Sequence, residues 1–396
     1  MGWFPTTLDS DAQSWRFDIV SLLAVIGGSS IEKHKQAITA STFAGFPRIL
    51  PAPESLLDTD RPTRLPSVKE VNIIGVYSGT RFTELNFFAN VIHKLEELEE
   101  FEFRSYDITY GENKKADDVE REGKLEGKST VTIPLRKLCP LNLVTLISIL
   151  MTIGLFIWAG MIHDGVALVG LATMSLSTSS ACLSAQWYPR LATRPTPVEV
   201  DPGDIVMKTR HGAFVVVKCS EDITRELYGG AESCHYVFQG RCHQVLLACS
   251  TVLLMASIIL FSNCGWTMQI AIGAAYIILN ILYWALALLT EPQDTWDMSR
   301  FDVKETNRKL TRSYTSALWE AIRETEEIDW VRKGGDLAPA TKAWDKWLKE
   351  AGVECQKPGS TWDPEAAKNK LMAKRASASS TPVVEHAQPI LSESRT

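Results

Sequence analysis

The chain has 396 residues, of which 45% are hydrophobic, and a formal net charge of −6. This charge balance speaks against nucleic acid as a partner, because phosphate binding needs a concentrated basic face. The eight cysteines lack the regular spacing of a secreted disulfide scaffold, which favours a reducing compartment.

The N-terminal region lacks the features of a cleavable signal peptide. An early apolar run, Ile19 to Ile26, is only about half of a membrane span. No basic stretch precedes it, and the nearby residues include Asp9, Asp11 and Asp18. We therefore expect the first full span to act as the targeting signal. Further on, Phe46 to Pro66 contains five prolines and is predicted to form a loop.

A small α+β element is predicted at about residues 68–110, within an N-terminal region that covers residues 1–135. Val71 to Tyr77 is typical of a short buried strand, and Phe101 to Tyr110 alternates as a strand does. Between them, Phe82 to Leu98 carries apolar residues at helical spacing. This part is predicted to form an amphipathic helix.

Four apolar stretches predict an α-helical membrane protein. A helix of about 20 residues crosses the roughly 30 Å hydrocarbon core while satisfying its backbone hydrogen bonds internally. The turns Ile162 to Asp164 and Cys264 are so short that the four helices must form two antiparallel hairpins. The stretches, which contain no Asp, Glu, Lys, Arg or His, are residues 141–161, 165–186, 244–263 and 265–289.

The distribution of basic residues predicts the orientation of these helices. Neither short turn contains Lys or Arg, whereas basic residues flank the opposite ends of the spans. Positive charge stays on the cytosolic side during insertion, so both termini and the link between the hairpins are predicted to be cytosolic. The flanking basic residues are Lys128, Arg136, Lys137, Arg190, Arg194, Arg241 and Arg300.

The link, residues 187–243, is predicted to fold as a cytosolic module. Ile205 to Thr209 and Ala213 to Lys218 are β-rich runs separated by a short turn, which indicates a β-hairpin. Ser220 can cap a following helix whose first turn is acidic. The module therefore combines a β-hairpin with one short helix.

After the fourth span, residues 290–355 are predicted to form a cytosolic helical region. Thr311 to Glu326 and Pro339 to Ala351 place apolar residues at helical spacing, and proline suits the first turn of the second helix. From residue 356 to residue 396 the composition is rich in Ser, Ala, Pro and Lys. This tail is predicted to be disordered.

No ionisable side chain lies inside the spans, so a path for ions or protons would have only neutral polar groups. Such groups either line a polar path or hydrogen-bond neighbouring helices and their own backbone. The second interpretation is favoured, because small polar residues commonly hold membrane helices together. The candidates are Gln269 and Asn280 in the fourth span and Ser177, Ser180 and Ser184 in the second.

Catalytic and cofactor-binding motifs such as GxSxG, HExxH and GxxxxGK[ST] are absent, so we predict no catalytic residue and no cofactor. The link contains cysteines and histidines without a CxxC-type pair, so no metal site is predicted. In the tail, Ser377 and Thr381 resemble accessible phosphorylation sites. The cysteines and histidines in question are Cys219, Cys234, His235, Cys242 and His243.

Three strings carry a resemblance to a known group of proteins. They are GVYSGTRFTELNFF at 75–88, GDIVMKTRHGAFVVVKCSEDITRELY at 203–228 and LWEAIRETEEIDWVRKG at 318–334. The chain resembles uncharacterised multi-pass integral membrane proteins of filamentous fungi over most of its length, apart from the C-terminal tail. The resemblance implies a location in a membrane, and it carries over no catalytic or binding residue.

The patterned sequence lies on the predicted cytosolic side, while the other side has only short turns. This arrangement indicates a non-enzymatic scaffold or interaction protein in which cytosolic modules contact partner proteins, lipids or copies of the chain. One alternative is a small transporter or oligomeric channel that uses the polar residues of the second and fourth spans. Another is a membrane-bound, lipid-modifying enzyme. The lipid bilayer is the partner that the spans predict directly.

Overall fold

The computed structural model describes residues 28–58, 61–111, 132–136, 138–191, 201–230, 232–290, 295–334, 337–357 and 359–379. It combines four long apolar helices in two adjacent pairs with a mixed six-stranded β-sheet. The helices are α1 (Gly28–Ala40), α2 (Phe87–His93), α3 (Pro140–Met161), α4 (Gly165–Ser184), α5 (Glu221–Ile223), α6 (Arg241–Ser262), α7 (Trp266–Leu289), α8 (Tyr314–Thr325), α9 (Asp329–Lys333), α10 (Lys342–Cys355) and α11 (Pro364–Ser379). The strands are β1 (Val68–Gly75), β2 (Arg81–Leu85), β3 (Glu102–Tyr110), β4 (Trp187–Arg190), β5 (Ile205–Lys208), β6 (Phe214–Lys218), β7 (Ser233–Tyr236) and β8 (Phe301–Leu310).

Helices α3, α4, α6 and α7 are long and apolar enough to cross a membrane. They correspond to the four predicted spans and form two adjacent pairs, as the sequence indicates. Close approach of α4 to α6 depends on Gly170, where an added Cβ would lie 2.8 Å from the ring of Phe261. By the length and composition of these helices, the chain is a multi-pass membrane protein.

The six-stranded sheet has the strand order β2-β1-β5-β6-β3-β8. Strands β3 and β6 are parallel, and the other neighbouring strands are antiparallel. The sheet takes β1 to β3 from the chain before α3, β5 and β6 from the link, and β8 from the chain after α7. These three segments therefore lie at one end of the helix bundle, which we call the sheet end. The opposite end is the turn end.

The hairpin predicted in the link is present as β5 and β6, but it is not a separate module. Alternate residues of β6 face two different cores, with Val215 and Val217 in one and Phe214 and Val216 in the other. A two-stranded hairpin alone cannot bury both faces. Pairing of β5 with β1 and of β6 with β3 supplies the missing neighbours, so the predicted modules form one domain.

Helices cover both faces of the sheet. On one face, α2 and the π-helical turn Thr224–Gly229 pack over the sheet. On the other face, α8, α9 and α10 pack through tryptophans that include Trp330 and Trp347. Helices α8 and α10 correspond to the two helices predicted after the fourth span. We call the sheet and its covering helices the sheet domain.

The predicted amphipathic helix at Phe82 to Leu98 is wrong at its start, and its second half is interrupted at Lys94 before a short 3-10 turn. Residues 81–85 pair with β1 as strand β2, and the helix that follows, α2, ends at His93. Leu85 on the strand and Phe88 on the helix face the same core, so their spacing imitates one continuous helical face. Sheet pairing overrides the helical pattern here.

The prediction of a disordered tail from residue 356 is wrong for the first part of the tail. Helix α11 packs against α8 and α10, and the Trp347 indole N–H donates a hydrogen bond to the Pro364 carbonyl at 2.9 Å. The segment is rich in Ser and Ala, but one face of α11 is apolar. Ala367, Leu371 and Met372 on this face pack against the core of the sheet domain. The predicted phosphorylation site Ser377 lies on α11, and Thr381 lies outside the described residues.

A designed disulfide tests the pairing of β3 with β8. We expect Thr109→Cys combined with Asp302→Cys to cross-link, because these residues are register partners. After cleavage at a protease site inserted between the hairpins, only this bond joins the two halves on a non-reducing gel.

The matched control combines Thr109→Cys with Glu305→Cys, which is out of register by about 10 Å along the strand. It should not cross-link. Equal yields from the two pairs would contradict the observed register.

Candidate functional site

Residues 41–58 enter the helix bundle from the sheet end and return to it; we call them the re-entrant segment. The Ile49 N–H donates to the Thr152 hydroxyl at 3.0 Å, and the Ser148 hydroxyl donates to the Ile49 carbonyl. Thr152 is twelve residues into α3, so Ile49 lies about 18 Å from the sheet end of that helix. The loop predicted at Phe46 to Pro66 therefore lies partly between the long helices, which the sequence does not indicate.

Helix α4 satisfies further backbone groups of the re-entrant segment. The Thr178 hydroxyl donates to the Arg48 carbonyl, and the Ser179 hydroxyl donates to the Gly45 carbonyl. An unpaired backbone carbonyl inside a bilayer costs several kcal/mol, and irregular backbone persists there only when it is buried in protein. These hydroxyls therefore explain why a segment that is irregular apart from the 3-10 turn Pro53–Leu56 is stable between α3, α4 and α7.

Arg48 brings a charge into the interior of the protein. Its side chain is 1% exposed, and its Nη1 donates to the carbonyls of Phe43 at 2.7 Å and Phe46 at 3.5 Å. Among the described residues, its Nε has no hydrogen-bond acceptor. A buried arginine between membrane helices is costly, so its presence needs a reason. Here the guanidinium closes the bend of the re-entrant segment from Phe43 to Arg48.

The three serines predicted as intramembrane candidates lie on α4 and bond within the protein. The Ser177 hydroxyl donates to the Ser250 carbonyl at 2.8 Å, and the Ser250 hydroxyl donates to the Ser177 carbonyl at 2.9 Å. The Ser180 hydroxyl donates to an α6 carbonyl at 2.8 Å, and that of Ser184 bonds its own helix. Ser177 and Ser180 thus form a polar seam between α4 and α6.

Gln269 and Asn280 on α7 have different surroundings. The Gln269 amide donates to the Cys264 carbonyl at 3.1 Å, close to the turn end. The Asn280 amide donates to the Tyr276 carbonyl of its own helix at 3.0 Å. Among the described residues, the Asn280 Oδ1 and the Tyr276 hydroxyl have no hydrogen-bond partner. The structure does not bring the predicted polar residues together, and their use as a path stays a prediction.

A cleft of about 720 Å³ opens on the sheet domain between the β1–β2 turn, the start of β5 and the π-helical turn. Tyr77 and Phe82 supply aromatic surface, and Asp204 and Glu221 supply carboxylates. Burial raises the pKa of Asp204 above its usual range. Arg225 pairs with Glu221 across one turn. A concave site of this size and composition can accept a small ligand or a peptide side chain.

A buried ion pair joins the three segments that build the sheet domain. The Arg300 Nε donates to Oε1 of Glu226 at 2.6 Å, and the Tyr110 hydroxyl donates to Oε2 at 3.0 Å. Tyr110 ends β3, Glu226 belongs to the link, and Arg300 precedes β8. Such a buried pair is favourable only when hydrogen bonds satisfy it well. Sequence reasoning missed it, because the partners are at least 74 positions apart.

A second buried carboxylate, that of Glu232, holds the start of α2. It accepts hydrogen bonds from the backbone N–H groups of Phe87 at 2.9 Å and Phe88 at 3.0 Å. Burial raises the pKa of Glu232 to about 7, although the two N–H groups act in the opposite direction. The Asn86 amide also donates to the Leu227 carbonyl at 2.8 Å. The link is thus fixed to α2 by polar contacts.

Within the described ranges, no group of three or more His, Cys, Asp or Glu side chains is placed to hold a metal ion. The Cys219 thiol lies 3.1 Å from the Thr224 hydroxyl, and burial raises the pKa of Cys219 to about 12. A thiol in this environment stays protonated near neutral pH and is a poor nucleophile and metal ligand. All eight cysteines are free.

Comparison with known proteins assigns no family. The chain matches no protein-family model, no curated protein and no solved structure. The resemblance to fungal membrane proteins stays a prediction, and the function is argued from the geometry of the described residues.

Removing the hydroxyls that bind Ile49 should destabilise the bundle. We expect Ser148→Ala combined with Thr152→Val to lower the free energy of unfolding by about 1–3 kcal/mol, because two backbone groups lose their partners. Denaturant unfolding in detergent micelles measures the change. Thr173→Val is the control, since the Thr173 hydroxyl bonds its own helix. An equal loss in the control would show that the re-entrant contacts are not the cause.

Glu232 should make stability depend on pH. Its folded pKa of about 7 lies above the ordinary value of 4.5, so folding favours the protonated form. The resulting stabilisation is complete below pH 4.5 and is lost as the pH rises through about 7. Glu232→Gln cannot ionise, and its amide keeps one of the two acceptor oxygens. Its stability relative to the wild type should therefore rise by up to about 3 kcal/mol between pH 4.5 and pH 8.

Thermal unfolding across this pH range measures the difference in stability between Glu232→Gln and the wild type. Glu100→Gln, which removes an exposed carboxylate, controls for the change in net charge. A constant difference between Glu232→Gln and the wild type at all pH values would rule out titration of Glu232.

Proposed function

We propose that this chain is a non-enzymatic, multi-pass membrane protein whose cytosolic sheet domain binds a partner protein. The observation that carries the proposal is the sheet, which draws strands from all three segments that flank the helical hairpins. A domain tied to the bundle at several points has a fixed position relative to the membrane. Such a domain is suited to presenting a binding surface at the membrane.

The cytosolic orientation is supported by the basic residues of the sheet end. Arg136, Arg190, Arg241 and Arg300 flank the spans there, whereas the turns at the opposite end carry no Lys or Arg. Because positive residues stay on the cytosolic side during insertion, the sheet domain is placed in the cytosol in this proposal. The turns on the other side, 162–164 and 263–265, are too short to form a binding module.

The contacts inside the bundle favour this function over a transporter or channel. Ser177 and Ser180 are used in the seam between α4 and α6. The re-entrant segment fills the sheet-end half of the space between α3, α4 and α7 with buried side chains that include Leu50 and Leu56, and a groove of about 620 Å³ between α3 and α7 lies toward the turn end. A bundle packed in this way supports an anchoring role.

The cleft of the sheet domain is the surface that we assign to the partner. The Tyr77 side chain is 50% exposed at this cleft and offers an aromatic surface to a partner. Asp201, Asp204 and Glu221 outnumber the one basic lining residue, Arg225. The charge balance favours a basic segment of the partner protein.

Filling the cleft should abolish partner binding. We expect Thr80→Trp to reduce recovery of the partner at least about tenfold in a pull-down from mild detergent, because the indole occupies the cleft. Thr83→Trp is the matched control, since Thr83 is exposed on β2 and does not line the cleft.

Recovery of a monomer without any partner from the native membrane would contradict the proposed function. Equal recovery with Thr80→Trp and Thr83→Trp would contradict the assignment of the partner to the cleft. Both proteins should show the wild-type thermal unfolding transition.

A further inference from the structure

A second pocket, of about 400 Å³, lies where the helix bundle meets the sheet domain. It is lined by α1, Asp58, Arg61 and Pro62, the end of α4 and the β4–β7 pair. The lining includes three basic side chains, those of Lys33, Lys35 and Arg61. We call it the interfacial pocket. It is separate from the cleft assigned to the partner protein, and the inference drawn from it does not require that function.

The position of the interfacial pocket corresponds to the surface of a bilayer. Ala185, which lines it, directly follows the last residue of α4. The Lys33 ammonium donates to the Ala287 carbonyl at 2.6 Å, two residues before α7 ends. The pocket is therefore level with the ends of two spans that cross the roughly 30 Å hydrocarbon core. Lipid head groups occupy this level on the outside of the bundle.

The charges of the pocket favour an anion. The three basic side chains face two carboxylates, those of Glu32 and Asp58, and Lys35 lies 3.4 Å from Asp58. Within the described part of the chain, neither Lys33 nor Arg61 forms an ion pair. This excess of positive charge occurs in a protein whose formal net charge is −6. A local basic cluster at a membrane surface is the usual basis for binding anionic lipids.

Arg61 is held in one orientation at the pocket wall. Its terminal nitrogens donate to the carbonyls of Phe238 at 2.8 Å and of Ser184, and its guanidinium lies 4.6 Å from the centre of the Tyr236 ring. Its buried Nε has no hydrogen-bond partner among the described residues. One terminal nitrogen also contacts the ring of His243, so the terminal nitrogens bind within the protein and Arg61 contributes its positive charge at the pocket wall.

Aromatic side chains complete a site that is half apolar and half polar. Trp187 lines the pocket and donates its indole N–H to the Gln36 carbonyl at 3.1 Å. Tyr236 lies beside Arg61 and donates its hydroxyl to the Pro62 carbonyl at 2.9 Å. Tryptophan and tyrosine with bonded polar ends are typical of the membrane interface. A ligand with a charged head and an apolar body suits this combination better than a fully soluble anion.

We propose that the interfacial pocket binds the phosphate of an anionic phospholipid, with Lys33 and Lys35 as its cationic contacts and Arg61 adding positive charge at the wall. Because the pocket is built from α1, the bundle and the β4–β7 pair, the bound lipid holds these three parts together.

Lipid binding to the full chain tests this proposal. The probes are dioleoyl phosphatidic acid and dioleoyl phosphatidylcholine, added to protein in an uncharged detergent and followed by native mass spectrometry. We expect phosphatidic acid to bind more tightly, and its affinity to fall as the salt concentration rises. Equal affinities of the two lipids, or no effect of salt on phosphatidic acid, would overturn the proposal without the need for any variant.

Charge variants assign the binding to the pocket. Lys33→Gln combined with Lys35→Gln should lower the affinity for phosphatidic acid at least about fivefold. Lys33→Arg combined with Lys35→Arg keeps the charge and should retain the lipid. Lys349→Gln is the matched control, because Lys349 is exposed on α10 and lies outside the pocket.

An unchanged affinity in the double Gln variant would place the lipid elsewhere and overturn the proposal. Inorganic phosphate is tested as a competitor in the same experiment. If it displaces phosphatidic acid at an equal concentration, the site takes free phosphate and the lipid assignment is wrong. Failure of lipid binding would leave the partner-binding role of the cleft unaffected, because that role is measured by the pull-down.

Discussion

The pairing of strands from three separated segments is the constraint on which the rest of the structure depends. Strand β3 pairs with β6 from the link and with β8 from the chain after α7. The chain must therefore return to the same end of the bundle after each hairpin. This requirement explains why the spans occur in pairs. The buried contact of Glu226 with Arg300 and Tyr110 adds a polar tie between the same three segments.

A second constraint is that backbone polar groups inside the bundle must find partners. Residues 47–50 of the re-entrant segment form neither helix nor strand, and hydroxyls of α3 and α4 bind the backbone of Arg48 and Ile49 instead. The serines and threonines of these spans are therefore structural where they meet the segment. The same principle accounts for the seam between α4 and α6, in which Ser177 and Ser250 exchange hydrogen bonds with opposite carbonyls.

The sequence predicted the features that depend on local pattern. The four apolar helices in adjacent pairs, the β5–β6 hairpin and helices α8 and α10 follow from composition and periodicity. The single sheet did not follow, because pairing between β3 and β8 leaves no local signal. The re-entrant segment was missed for a related reason: its prolines indicate a loop, and only the facing hydroxyls of α3 and α4 show where the loop lies. The sequence of strand β2 shows a helical pattern because Leu85 on the strand and Phe88 on the following helix are three residues apart and face the same core.

The most direct test of this account is the location of the three segments relative to the membrane. Protease sites placed near the N-terminus, between residues 192 and 200 of the link, and near the C-terminus can be probed in sealed vesicles of known orientation. The account predicts that all three sites are cut from the cytosolic side and that none is cut from the other side. Protection of any one of them would contradict a sheet domain assembled from all three segments in the cytosol.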